Sequence, residues 1–457
     1  MSTLRISNPA DGTPIAEVPA DDAASVGAKA ERARRAQPAW QAVPLAERSA
    51  KLARFRASVA AEIETLARTL TQEVGKPLAQ SRNELNGFLG RIDFFLAEVA
   101  RAIAPEPVFA DGTMKERIDH EPLGVVANIS AWNYPYFVGG NVFVPALLTG
   151  NAVLYKPSEF ATLTGLHIDR LLHAAGIPAD VFVTIVGAGD VGKALLEQQV
   201  DGVFFTGSVA TGAKIAAVMG SRMVRLQLEL GGKDPTYVAD DVEPKAAAES
   251  LADGAMYNTG QSCCSVERIY VHERVHDAFV EHFKAAVRGF KVGDPLVDGS
   301  YIGPLTRRPQ LEVLETQVAD ALAKGATLVV GGKRIERAGN WFEPTVLTNV
   351  DHTMAVMRDE SFGPIIGIQK VRDDDEALAL MSDTRYGLTA GVYTRDEARA
   401  ARLLRQVRAG SVYWNCCDRV SPRLPWSGHG DSGVGVTLST YGIQTLTRPR
   451  AWHLRTP

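Results

Sequence analysis

Residues 124–159, GVVANISAWNYPYFVGGNVFVPALLTGNAVLYKPSE, decide the fold class. GVVANIS and NAVLYK are apolar runs of strand length, and the stretch 137–149 between them has the length of a buried helix. Strand, helix and strand in that order make a βαβ unit, whose two strands must run parallel. The alternation continues through a helical stretch at 162–175, VFVTIVG, a helical stretch at 190–199 and GVFFTGS. Repeated units of this kind predict an open parallel sheet with helices on both faces, a Rossmann-type α/β architecture.

On the N-terminal side, residues 22–104 carry Ala, Leu, Arg and Glu at helical spacing, and LAERSAKLARFRASVAAEIETLARTLTQEVG stops at Gly75 and Pro77. The first hundred residues therefore read as mostly helical. On the C-terminal side, helices near 243–258, 273–289 and 308–324 alternate with RIYVH, TLVVGG and PIIGIQKV, which predicts a second α/β unit. The chain should cross between the two at LQLELGGKDP, where Gly231, Gly232 and Pro235 end one pattern before the next begins. EPVFADGTMKERIDHEP reads as a hairpin turning at Asp111-Gly112, with an edge open to pairing.

Composition narrows the function classes. With 457 residues, 46% of them hydrophobic, the chain can bury more than one core, and a net charge of −4 with scattered basic residues gives no footprint for nucleic acid. The most apolar stretch is broken by Pro145, Gly150 and Lys156 before it could span a bilayer, so the expected location is the cytoplasm. Cys263-Cys264 and Cys416-Cys417 form neither a disulfide framework nor a CxxC spacing, and no metal ligands are expected.

VGAGDVGKAL holds G-x-G-x-x-G at Gly187, Gly189 and Gly192, the spacing of a dinucleotide fingerprint. It lies in the third step of the alternation instead of the first, and no acid ends the following strand. A glycine-rich turn capped by Asp190 explains it as well.

Six further segments suit one site between two α/β units: AWNYP (131–135), YKPSE (155–159), FTGS (205–208), LELGGK (228–233), GQSC (260–263) and ESFGP (360–364). In this order and spacing the chain resembles the aldehyde dehydrogenase superfamily over nearly its whole length. The resemblance implies a cofactor domain at 1–103 and 123–231, a catalytic domain at 232–440, and a small β oligomerisation element at 104–122 and 441–457, which would make a homodimer or homotetramer.

The resemblance also implies roles. The cysteine two places after the glutamine of G-Q-x-C is Cys263, the nucleophile. A thiolate adds to an aldehyde to give a thiohemiacetal, which loses hydride to a nicotinamide and becomes a thioester. Cys264 would take a variable position; if the segment is extended, neighbouring side chains face opposite ways and only one can meet the cleft. Asn133 matches the oxyanion donor and Glu229 the base that activates water, a task that a buried, upshifted carboxylate suits. A glutamate there favours a free carboxylic acid product over the CoA-acylating alternative.

Cofactor contacts implied by the same likeness are Trp132, Lys156, Ser158, Glu159, Gly207, Ser208, Gly212, Leu230, Glu360 and Phe362. A carboxylate at Glu159 accepts from a ribose 2′-hydroxyl and repels a 2′-phosphate, so NAD is expected, with NADP also admitted. The pyrophosphate would meet the helix after Ser208. For the small-molecule aldehyde, the channel would be lined by Tyr134, Phe137 or Val138, Tyr257 and the loop NCCDRVSPRLPW, with Asp418 and Arg419. The tyrosines suit an aliphatic or aromatic aldehyde, whereas the loop's arginines suit a carboxylate-bearing semialdehyde. AMYNTGQ lacks the arginine usual before N-x-G-Q in succinate-semialdehyde members, which weighs against the semialdehyde.

Overall fold

The computed structural model describes residues 2–456. Its first large sheet has six strands, in the order Gly433–Val434, Arg225–Glu229, Gly202–Thr206, Val125–Ile129, Ala152–Lys156 and Phe182–Thr184. All pairings are parallel except that of Gly433–Val434 with Arg225–Glu229. Val125–Ile129 and Ala152–Lys156 are buried at every position, as strands covered on both faces must be. The earliest parallel strand, Val125–Ile129, lies mid-sheet with its successors on one side and Gly202–Thr206 on the other. The strand order reverses there, and that reversal opens a crevice at the strands' C-terminal ends.

A second sheet of seven strands runs Thr327–Val330, Thr345–Thr348, Ile365–Val371, Val266–His272, Asp234–Val238, Thr389–Tyr393 and Ser411–Trp414, antiparallel only at its first pair. The chain passes from the first sheet to the second between Glu229 and Asp234, within the segment expected to carry the crossing. The third sheet is antiparallel, with Thr447–Arg455, Met114–Pro122 and Glu106–Ala110 in that order. Its turn is held by Asp111, whose carboxylate accepts from the N–H groups of Thr113 and Met114, both at 2.7 Å.

The helical reading of the first hundred residues holds from Ala23 onward, and the long run quoted above is two helices, Leu45–Ala61 and Ile63–Val74, separated at Glu62. Gly75 ends the second in the left-handed region at φ 80°. A two-stranded hairpin, Thr3–Ser7 with Pro14–Pro19, precedes them and went unread, because its exposed, mixed residues carry little alternation. Strands Thr345–Thr348, Thr389–Tyr393 and Ser411–Trp414 were also missed; each is short and mixes threonine, glycine or serine into its apolar residues.

The helix Leu78–Ala102 packs across Pro135–Leu148 through Phe88, whose ring meets Tyr136 at 5.8 Å and Phe143 at 6.2 Å. Gly140 permits that approach, since a Cβ there would lie 2.3 Å from the Phe88 ring. This contact fixes which face of Leu78–Ala102 looks toward the site. Among the described residues no helix is long and apolar enough to cross a membrane.

Candidate active site

A cavity of about 670 Å³ lies between the sheets, lined by Cys263, Glu229, Tyr134, Tyr257 and Arg91, with Asp418 and Arg419 at the loop that closes it. The cysteine reaches it on an unusual loop. After the helix Pro244–Met256, Asn258, Thr259 and Gly260 all take positive φ, at 53°, 58° and 69°. Such a run persists only where its surroundings fix it. Here Gln80 accepts from the Asn258 N–H at 2.9 Å, Gln261 Oε1 accepts from the Thr306 N–H at 2.9 Å, and the Thr259 hydroxyl accepts from the Gly303 N–H at 3.0 Å.

The following residues form a turn, with the Ser265 N–H bonded to the Ser262 carbonyl at 3.2 Å. This corrects the expectation that an extended segment would send the two thiols to opposite faces: Cys263 and Cys264 both line the cavity. Alternation belongs to pleated strands, and the strand begins only at Val266. Cys263 is partly exposed and Cys264 is buried. The Cys264 thiol donates to Asp418 Oδ1 at 3.0 Å, and the adjacent Cys263 thiol together with burial holds its pKa well above the usual thiol range. Cys417 lines the same cavity, its thiol pushed up by burial to about 11.

Asn133 is buried, and its Nδ2 donates to the Gln261 carbonyl at 3.2 Å, which sets the amide against the turn that carries Cys263. The Asn258 side chain braces both partners, donating to the carbonyls of Asn133 at 3.2 Å and Gln261 at 3.1 Å. Glu229 ends its strand inside the cavity wall. Burial raises its pKa to about 7, while the Thr437 hydroxyl, which donates to Oε1, and the charge of Arg91 act in the opposite sense. A carboxylate half ionised near neutrality can take a proton from water.

Tyr134 stacks on Phe137, with centroids 5.7 Å apart and planes 5° apart, and Tyr257 receives the Asn83 amide at 3.1 Å. Val138 also lines the cavity. Asp418, at φ 47°, has its carboxyl raised to about 7 by burial, and Arg419 is exposed at the mouth. Sequence reasoning missed three charged residues here. Lys76 and Glu84 form a buried ion pair, with the ammonium 3.6 Å above the Tyr134 ring, and Glu84 accepts from the Tyr136 N–H at 2.9 Å. The third, Arg91, lies over the Phe137 ring at 3.7 Å. All three come from the helical region around Leu78–Ala102; only a shared helix face could have hinted at Glu84 and Arg91.

The remaining predicted residues gather at the crevice of the first sheet. Lys156 ends its strand buried, with the Pro157 carbonyl as its hydrogen-bond acceptor at 3.2 Å, and Ser158 donates to Glu159 at 3.3 Å. Ser208 caps the helix Val209–Met219, and the Gly207 N–H donates to the Glu229 carbonyl at 3.0 Å. Gly212 lets that helix seat on Leu230, because a Cβ would lie 2.5 Å from the leucine side chain. Glu360 accepts from the Gly232 N–H at 3.1 Å and is raised to about 8 by burial. Phe362 meets Trp132 edge to face at 5.5 Å. A buried ammonium with donors to spare, a carboxylate beside it and a capped helix N-terminus suit a ribose and a pyrophosphate, so this donor set fits a nicotinamide dinucleotide. Of the G-x-G-x-x-G glycines only Gly187 has a packing account, since a Cβ there would approach Val191 to 2.3 Å; a Cβ at Gly189 would meet nothing within 4 Å and one at Gly192 would only touch Lys156 at 3.5 Å, and the strand before them lies at the sheet edge.

The aldehyde dehydrogenase family model matches residues 1–452. The chain is 36% identical to a 3,6-anhydro-alpha-L-galactose dehydrogenase of Streptomyces coelicolor, covering 99% of this chain and 93% of that one. It is 36% identical to a glutarate-semialdehyde dehydrogenase of Pseudomonas putida, covering 97% and 92%. The fold superposes on a solved NADP dependent enzyme of E. coli with a TM-score of 0.97 at 32% identity, covering 100% and 95%. Similar solved structures include an NAD-dependent aldehyde dehydrogenase as well. The likeness extends over all three sheets and the crevice between them, and the chain belongs to the aldehyde dehydrogenase family, as an NAD(P)-dependent oxidoreductase acting on aldehydes.

Proposed function

We propose that the chain oxidises an aldehyde to a free carboxylic acid, with Cys263 as nucleophile, Asn133 and the Cys263 backbone N–H as oxyanion donors, and Glu229 as the base that activates water. The observation that carries this is the meeting of Cys263 and Glu229 in one cavity wall, Cys263 from the turn before a strand of the second sheet and Glu229 from the end of a strand of the first. The Cys263 sulfur adds to the carbonyl carbon, and negative charge gathers on the oxygen beside the Asn133 amide. NAD(P) held in the crevice of the first sheet would supply the acceptor for the hydride lost from that carbon. Glu229 then takes a proton from water, whose oxygen attacks the Cys263 thioester and expels the thiolate. Lys156 and Glu159 would hold the adenosine ribose, the Ser208-capped helix the pyrophosphate, and Glu360 with Phe362 the nicotinamide end.

An aldehyde lying along Tyr134, Phe137 and Trp426 would bury an aliphatic or aromatic stem. NADH formation from hexanal or benzaldehyde without CoA tests the assignment, since Cys263→Ala should abolish it and full activity in that variant would overturn it. Residues 1–103 with 123–231 would act as the cofactor domain and 232–440 as the catalytic domain. The third sheet and the edge strand Ser411–Trp414 expose Val108, Phe109, Val412 and Trp414, which supports pairing between copies as a homodimer or homotetramer.

A further inference from the structure

Among the described residues two Lys–Glu pairs are shut off from water. In Lys76–Glu84 the carboxylate also accepts from the Tyr136 N–H, in the helix that follows Asn133. In the other, Lys233 Nζ lies 2.5 Å from Glu267 Oε2, with Lys233 1% and Glu267 4% exposed. Such a pair is a weak source of stability, since taking both ions out of water offsets their attraction. Its further contacts point to a different use.

Glu267 reaches the loop that carries Glu360 and Phe362. Its carboxylate accepts from the Ser361 N–H at 3.0 Å and from the Phe362 N–H at 3.0 Å, and Lys233 also donates to the Ser361 hydroxyl at 3.0 Å. Successive N–H groups converging on one point form a concave anion site, and here the anion is a side chain of the protein itself. Phe362 needs such a hold, because a bulky residue at φ 47° stays there only where its surroundings fix it. Gln310 Nε2 donates to the Ser361 carbonyl at 2.5 Å, so both peptide groups of Ser361 are pinned. The pair also joins the segments of the site. Lys233 follows Glu229 in the crossing between the sheets, and Glu267 follows Cys263 at the start of the strand Val266–His272. A Cβ on Gly260 would lie 2.2 Å from the Gly363 carbonyl oxygen, so the same loop packs directly on the approach to Cys263.

We propose that Glu267, kept charged and in place by Lys233, is a positioning residue for the nicotinamide: it fixes Glu360 and Phe362 where the ring and its ribose must lie against the carbon bound to Cys263. This rests on the reading of the Glu360–Phe362 loop as the nicotinamide contact. Glu267 acts through the backbone of that loop, not by contact with the dinucleotide.

The test uses two variants. Glu267→Gln keeps the size of the side chain and removes its charge, whereas Glu267→Gln combined with Lys233→Met removes both charges and leaves no unpaired ammonium buried. In each, the measurements are the midpoint of thermal unfolding, the Kd for NADH, kcat/KM for NAD and NADP with a saturating aldehyde, and cofactor-free hydrolysis of 4-nitrophenyl acetate. That ester acylates Cys263 with loss of nitrophenolate and moves no hydride, so it calls on Cys263 and Glu229 but not on the loop. Glu267→Gln should lower the midpoint, weaken NADH binding and reduce kcat/KM for the dinucleotide about tenfold or more, with ester hydrolysis within about threefold of wild type. The double variant should recover most of the midpoint and keep the dinucleotide defect. Recovery of kcat/KM along with the midpoint would overturn the proposal, and so would a fall in ester hydrolysis that matches the fall in oxidation. Should Glu267→Gln not fold, Glu267→Asp, which keeps the charge but draws the carboxylate back by one methylene, should show the same split; unchanged dinucleotide kinetics there would refute the role. Phe362→Leu tests the premise separately: if it leaves kcat/KM for the dinucleotide unchanged, the loop is not the nicotinamide contact.

Discussion

Replacing Thr437 by valine isolates one influence on the base. The Thr437 hydroxyl donates to Glu229, while its backbone N–H and carbonyl are independently tied to Trp426 at 2.9 Å and 2.8 Å. An isosteric Thr437→Val should therefore keep the local backbone and remove only the hydroxyl. A hydrogen bond to a charged acceptor contributes about 1.5–3 kcal/mol, but the hydroxyl can also turn to accept from the protonated acid. The difference between the two charge states is then about 1.4 kcal/mol, or about one pKa unit. Glu229 stands at about 7, so the variant should titrate near 8, given that loss of a donor favours the neutral acid. At pH 7 the ionised fraction falls from about one half to about one tenth, and deacylation should slow about fivefold; near pH 9 the two enzymes should converge. Stopped-flow absorbance of NADH separates the initial burst, which reports acylation, from the linear phase that follows. The reasoning fails if the linear phase keeps the same pH midpoint in Thr437→Val, or if it drops equally at every pH.

Two further outcomes follow from contacts already described or close to them. Glu159→Gln removes the carboxylate expected beside a 2′-phosphate, and the ratio of kcat/KM for NADP to that for NAD should rise about tenfold; an unchanged ratio would remove Glu159 from the cofactor contacts. Glu73 accepts from the N–H groups of Leu163 and Thr164 at 2.6 Å and 2.7 Å and from the Thr164 hydroxyl at 2.8 Å, serving the helix Thr162–Ala174, which has no side-chain cap of its own. Glu73→Ala leaves these donors buried and should cost about 2–4 kcal/mol, read as a lower midpoint in urea denaturation, whereas an unchanged midpoint would show the cap to be dispensable.

The sheets were legible where a strand is a run of mostly apolar residues, as at Val125–Ile129 and within Val266–His272, and were lost where short strands mix in threonine, glycine or serine, as at Thr389–Tyr393 and Ser411–Trp414. Asn133, Glu229 and Cys263 were legible because each sits in a short segment whose spacing is distinctive. Arg91 was not, because its place in the cavity wall depends on how Leu78–Ala102 is rotated against Pro135–Leu148. The sharing of one cavity by Cys263 and Cys264 was hidden for a related reason: the left-handed run at Asn258, Thr259 and Gly260 is set by partners as distant as Gln80 and Gly303.

The short strand Gly433–Val434 has a consequence for anyone wishing to cut this protein into working halves. It returns from late in the chain to cover the outer edge of Arg225–Glu229, and Thr437 follows close behind it. A fragment ending at Gly231 would contain every dinucleotide-facing segment up to Leu230 yet leave that edge bare and the base unheld. Chimeras between relatives should accordingly exchange residues 425–438 together with the cofactor sheet, even though sequence order assigns them to the other half.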